Sequence, residues 1–293
     1  MPFSTRFAGF LCALAAPLSW SIGGLVFRSV EAGPFEAIFW RSLGHVLVFP
    51  LFLILRSGFG AFAELRHARG SAVVVALCIT GTFILHVLAM MTTTVANVLV
   101  VQSTSPLLVA VLGWIVLGER VSARGWLSLA LAFAGLAIVV GGSIGGGSFL
   151  GDALALGVAS CSACMVILTR RARAVSMQPV TIVSAALAVL IALPFAAPLS
   201  IPPVDIALLL SLGLVQMTLG LTFFLYALRQ LPAAQVTLIA LLEPVLGPVW
   251  VWLLKGEEPA ASTIVGGTLV LAALAANVVL GLRFGMRQAA QPA

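Results

Sequence analysis

The chain has 293 residues, 61% of them hydrophobic and only 8% charged, where a soluble domain carries about 25% charged residues. Too few charges are present to cover a water-facing surface, which excludes an ordinary soluble globule. The net charge of +6 does not point to a nucleic-acid partner, because nearly every cation sits at the end of an apolar block, where it serves as a topological anchor.

Those blocks, such as Leu11–Phe27, Val73–Met91 and Ile264–Leu282, match the roughly 20 residues that cross a 30 Å hydrocarbon core at 1.5 Å per residue. In chain order the pattern predicts an all-α integral membrane protein with helices over 8–29, 35–55, 71–91, 95–117, 125–143, 150–169, 177–199, 205–228, 233–254 and 261–282. The first block follows a single Arg6 and runs on as a full span, so no cleavable leader is expected. Breakers mark the connections: Glu31-Ala-Gly-Pro34, the glycine run from Gly141 to Gly147, Ser200-Ile-Pro-Pro203 and Gly256-Glu-Glu-Pro259. No connection is long enough to hold a further domain.

With the N-terminus placed in the cytoplasm, the cytoplasmic segments hold Arg6, Arg56, Arg66, Arg69, Arg120, Arg124, Arg170, Arg171, Arg173, Arg229, Arg283 and Arg287. The opposite side holds Arg28 and Lys255 alone. Short loops rich in Lys and Arg stay on the cytoplasmic side, so both termini are expected there. The four cysteines (Cys12, Cys78, Cys161 and Cys164) fall inside apolar blocks. Cys161 and Cys164 have the CxxC spacing of redox and zinc sites, yet they lie mid-helix without a second pair or a nearby His. They are expected to act as small hydrophobes, and neither metal nor cofactor is expected.

The chain repeats itself. Ser105-Pro106, Trp114 and Gly118-Glu119 near the end of the fourth helix recur as Glu243-Pro244, Trp252 and Gly256-Glu257 near the end of the ninth, each 138 residues on. Ala96 and Ala234, Leu108 and Leu246, and Ala134 and Ala272 keep the same offset. A constant offset through Pro, Trp, Gly and Glu marks a duplication, which divides the chain into residues 1–147 and 148–293. Each half holds five spans. An odd number inverts the second half, and inverted repeats around a central site are the architecture of secondary transporters.

On these residues the chain resembles the EamA family of the drug/metabolite transporter superfamily. The resemblance rests on five plus five helices, Pro-x7-Trp-x3-Gly-Glu at the end of helix four and Glu-Pro-x7-Trp-x3-Gly-Glu at the end of helix nine, and it spans essentially the whole chain. It implies export of amino acids or related small metabolites across a bacterial inner membrane, with cytoplasmic termini, by alternating access about a cavity lined by both halves, with helices five and ten at the periphery. Many relatives carry Glu-Pro in both halves. Here the first half has Ser105-Pro106, which argues against a mechanism needing two symmetric carboxylates.

Ionisable groups at membrane depth cost roughly 2.5–3.5 kcal/mol on insertion scales and face a cavity or a partner. Arg41 and His45 share one face of helix two at a spacing of four. Arg41 either binds a substrate carboxylate, or snorkels or pairs with Glu36 or Glu31. His45 and His86 are either proton-linked groups or hydrogen-bonded packing residues. Glu243, beside Pro244 and one turn before Pro248, is either a proton carrier or amine site, or a cap for backbone groups freed by the proline bend. Pro106 is expected to bend helix four at the matching depth. Neutral polar candidates complete the set: Trp20 and Ser21, Asn97, Gln102 and Ser103, Ser160 and Ser162, and Gln216. Each competes with a plain role in interhelical hydrogen bonding. No P-loop is present, so ATP does not drive the chain directly, and transport is either downhill or coupled through few groups. An exporter of hydrophobic cations or a metabolite importer remains the alternative. The expected partners are a small-molecule substrate and the lipid bilayer, around a monomer.

Overall fold

The computed structural model describes residues 3–27, 29–58, 60, 69–92, 98, 101–119, 121–141, 149–172, 177–198, 200–256, 261–262, 264–273 and 276. The described residues are helical or in short connections, without a strand among them. Their apolar helices are α1 (Thr5–Phe27), α2 (Pro34–Leu55), α3 (Gly70–Met90), α4 (Ser105–Leu117), α5 (Gly125–Gly135), α6 (Phe149–Arg171), α7 (Gln178–Ala192), α8 (Pro203–Gln230), α9 (Ala233–Leu254) and α10 (Ile264–Ala273). Six of these are long and apolar enough to cross a bilayer as described, and four are shorter. All ten fall on the spans expected from hydropathy.

Each helix carries an outward apolar face. Leu47, Leu51 and Leu55 on α2, Trp114 and Ile115 on α4, and Leu253 and Leu254 on α9 are all exposed. A continuous belt of this kind is unstable in water and is solvated by lipid. The inner faces interlock through small residues, as membrane helices do. Gly44 of α2 lies against the carbonyl of Leu210, and Gly213 of α8 against the carbonyl of Arg41. A methyl group at either position would collide with the facing backbone. α10 packs on α5, with Gly135 against the carbonyl of Gly266.

The packing respects the duplication. α3 packs on α6, and its counterpart α8 packs on α1. α4 packs on α6 as α9 packs on α1, and α3 on α7 as α8 on α2. α2 meets its own counterpart α7, and α4 meets α9. Exchanging the halves thus reproduces these contacts, as two repeats related by a pseudo-twofold axis require.

The motif that betrayed the duplication is largely structural. α4 is preceded by a turn at Ser103 and Thr104, and α9 is interrupted by a turn at Leu241. The helices resume at Ser105 and Leu242, so Pro106 and Pro244 sit in a first turn, where a missing N–H breaks no hydrogen bond. The break therefore precedes the proline in each half. Pro248 lies within the resumed helix Leu242–Lys255 and starts no second break there. Both resumed helices stop at a glycine in the left-handed region, Gly118 at φ 67° and Gly256 at φ 70°, the usual glycine terminator.

The halves are also tied at their edges. Arg170 of α6 forms an ion pair with Glu119 at 3.0 Å and donates through Nη1 to the carbonyl of Leu228 at 2.7 Å. Elsewhere Glu36 accepts the Ala197 N–H at 2.8 Å, Asp205 accepts the Glu31 N–H at 2.9 Å, and the Trp40 indole donates to Pro198 at 2.9 Å.

Candidate functional site

A cavity of about 210 Å³ lies between the halves. Its wall comes from α1, α2, α3, the α4 break, α6, α8 and the α9 break; none of the described residues of α5, α7 and α10 lines it. Both helix breaks open onto it. Eight pairs of wall residues stand 138 positions apart: Trp20 and Val158, Ile79 and Met217, Phe83 and Leu221, His86 and Phe224, Gln102 and Ala240, Ser103 and Leu241, Ser105 and Glu243, and Pro106 and Pro244. The cavity straddles the pseudo-twofold relation of the repeats.

Arg41 is the buried cation of this wall, 5% exposed. Its guanidinium lies 5.7 Å from the Phe27 ring and 5.8 Å from the Phe83 ring, within the range of cation–π attraction. Nη2 donates a long bond of 3.4 Å to the Phe83 carbonyl, and Nε has no partner among the described residues. Glu36 is occupied by the Ala197 backbone, and Arg41 forms no ion pair with a described residue. It therefore neither snorkels nor pairs with a loop carboxylate.

Glu243 sits in the first turn of the resumed part of α9 and lines the cavity. A carboxylate is favourable there because the N-terminal peptide dipoles point toward it. Its oxygens make no hydrogen bond with a described backbone group, so it does not cap the break. Leu241 closes that turn through its own N–H to the Leu238 carbonyl at 3.2 Å. The corresponding break near α4 is closed by Thr104, whose N–H and hydroxyl both donate to the Val101 carbonyl, at 3.1 and 2.6 Å.

The other candidates divide clearly. His86 and Gln102 face the cavity as a bonded pair, with Gln102 Nε2 donating to His86 Nδ1 at 2.6 Å. Nδ1 therefore accepts, and a neutral His86 ring carries its proton on Nε2. Trp20 and Gln216 clasp α1 to α8: the indole donates to the Gln216 carbonyl at 3.0 Å, and the Gln216 amide donates to the Trp20 carbonyl at 2.6 Å. Both line the cavity, as do Ser103 and Ser162. Gln216 lies in a π-helical stretch, Gly213–Gly220, and such bulges concentrate at functional sites.

His45, Ser21 and Ser160 lie off the cavity, contrary to their inclusion among its expected residues. His45 is fully buried between Thr218 and Thr181, with Nδ1 and Nε2 at 2.8 and 2.9 Å from their hydroxyls. The Thr181 hydroxyl donates to the Gln178 carbonyl, so it accepts from Nε2, and every polar atom of the ring is satisfied by packing. Ser21 accepts the Trp250 indole N–H at 2.7 Å and joins α1 to α9. Ser160 is on the exposed face of α6 and donates to its own helix at Leu156. Asn97 lies outside the described residues. The wall also includes Met165, Met217 and Phe224, which a search for polar residues in apolar blocks passes over, and Thr82, Ser105 and Thr237, whose hydroxyls were within reach of that search but were not among its candidates. Applying the 138-residue offset to His86, Gln102 and Glu243 would have found Phe224, Ala240 and Ser105.

The model of the EamA-like transporter family matches residues 7–141 and again residues 149–279. The chain belongs to the EamA-like transporter family. It is thereby a multi-pass membrane transporter of the drug/metabolite transporter superfamily. A solved structure described only as "Crystal structure of protein" is similar to this EamA-like chain over 97% of its length and 99% of the other chain, with a TM-score of 0.80 at 19% identity. That likeness speaks to the fold alone. No curated protein matches the sequence.

Proposed function

We propose that this EamA-like transporter exports amino acids or related small metabolites across the bacterial inner membrane, working as a monomer by alternating access. Both termini lie in the cytoplasm, and the repeats divide between residues 147 and 148. The observation that carries the proposal is the cavity between the repeats, in which one buried cation and one carboxylate face a common space without pairing. Its volume of about 210 Å³ falls below the roughly 300–1,000 Å³ of sites for drug-sized ligands. Amide and hydroxyl groups suit a polar solute of that size.

The test is efflux from proteoliposomes loaded with a panel of amino acids, with and without a pH gradient. We expect amino-acid efflux that does not strictly require the gradient. Flux of a lipophilic cation without flux of any amino acid would overturn the proposal in favour of a drug exporter. For topology, Ser148→Cys is expected to react with an impermeant reagent from outside and Ser176→Cys only from inside.

A further inference from the structure

We infer that the cavity is a two-pole site for a zwitterion with an uncharged, apolar side chain, in which Arg41 takes the carboxylate and Glu243 the ammonium. The inference rests on the transport reading above and narrows its substrate class.

Its first support is the state of the two charges. Arg41 is nine-tenths buried or more, carries an unpartnered Nε and lines the cavity. Glu243 lines the same cavity and makes no hydrogen bond or ion pair with a described residue. A buried charge without a partner is costly. These two do not relieve each other, although one space joins them. A ligand carrying both signs neutralises both groups with charge-assisted bonds. An amine alone leaves Arg41 unpaired and adds a like charge to the space; an acid alone does the same to Glu243.

The second support is the division of polarity. His86, Gln102 and Ser105 border the space from the first repeat, with Ser162 from α6. The hydroxyls of Ser105 and Ser162 make no hydrogen bond with a described residue and stay available to a ligand. Met217, Leu221, Phe224, Ala240 and Leu241 line its wall from the second repeat, where the neighbouring Gln216 amide already donates to the Trp20 carbonyl and the Thr237 hydroxyl to the Ala233 carbonyl. Apart from Glu243 that wall offers no charged group to a second charge, which it would leave desolvated and unpaired, and its apolar residues suit an aliphatic or aromatic group.

The experiment is calorimetric binding to the full chain in nanodiscs, with L-leucine, 3-methylbutylamine (leucine without its carboxylate), 4-methylpentanoate (leucine without its amine), L-lysine and L-glutamate. L-leucine is expected to bind at least tenfold tighter than each of the other four. Arg41→Gln should weaken L-leucine at least tenfold and leave the amine unchanged or tighter, and Arg41→Lys should restore part of the loss. Glu243→Gln should do the converse, weakening L-leucine and sparing the acid. Equal loss of L-leucine and the amine in Arg41→Gln would mean a merely structural arginine and overturn the inference. Wild-type binding of L-lysine or L-glutamate on a par with L-leucine would overturn it too, and this arm needs no variant to fold. Amino-acid efflux without the expected discrimination sinks the two-pole site and leaves export standing. The expected discrimination without efflux supports the site and removes export.

Discussion

Position by position, the first repeat sets His86, Gln102, Ser103 and Ser105 against the cavity where the second sets Phe224, Ala240, Leu241 and Glu243. The backbone at the two breaks is alike, while the π-helical stretch Gly213–Gly220 of α8 has plain α-helix at the matching positions 75–82 of α3. Each half has a helix break, a proline in the first resumed turn and a left-handed glycine at the end. Duplication has thus kept the features that shape the cavity, while the side chains that meet its contents have diverged. A pair of inverted repeats needs equivalent backbones to reach two oppositely open states. It does not need equivalent chemistry, because the same solute meets the same two walls in both states.

The sharpest way to break this comparison is to erase its charged difference. Glu243→Ser gives the second repeat the residue of the first. Losing a hydrogen bond to a charged group costs roughly 1.5–3 kcal/mol, so we expect a ten- to hundredfold loss of L-leucine affinity, measured by calorimetry. Next comes a residue outside the comparison. His45→Ala leaves the Thr181 and Thr218 hydroxyls without their ring partner in a fully buried site. It should lower stability by about 2 kcal/mol, read as a lower melting temperature, with L-leucine affinity unchanged in the folded fraction.

Smaller effects sharpen the contrast. His86→Phe gives the first wall its counterpart's residue and removes the bond to Gln102. The loss of one neutral hydrogen bond, about 1 kcal/mol, predicts a roughly fivefold weakening of L-leucine binding. Ser160→Ala removes a hydroxyl that serves only its own helix. Efflux and melting temperature should both stay within error, and a clear drop in efflux would place Ser160 where the geometry does not.

The spans and the duplication were legible because both are written in regular spacing: runs of about 20 apolar residues and one constant offset. The Pro, Trp and Gly of the repeated motif turned out to mark, in order, a resumed first turn, a lipid-facing ring and a helix stop. The site was legible only in part. Arg41, His86 and Glu243 stood out as costly groups at membrane depth, and Gln102 as a neutral polar group among them. Hydropathy does not report which way a side chain points, and this misplaced His45, Ser21 and Ser160. His45 is one turn from Arg41, yet it is claimed by Thr218 of the π-helical stretch and Thr181 of α7, partners 173 and 136 residues away that no local pattern announces. Apolar wall residues such as Met217 and Phe224 gave no signal of their own in so apolar a chain.

The most direct measurement is a structure of the protein in nanodiscs with L-leucine bound. The account predicts density in the cavity between the repeats, with the ligand carboxylate on Arg41, its ammonium on Glu243 and its side chain against Leu221 and Phe224. A ligand bound elsewhere, or one whose carboxylate points away from Arg41, would contradict it.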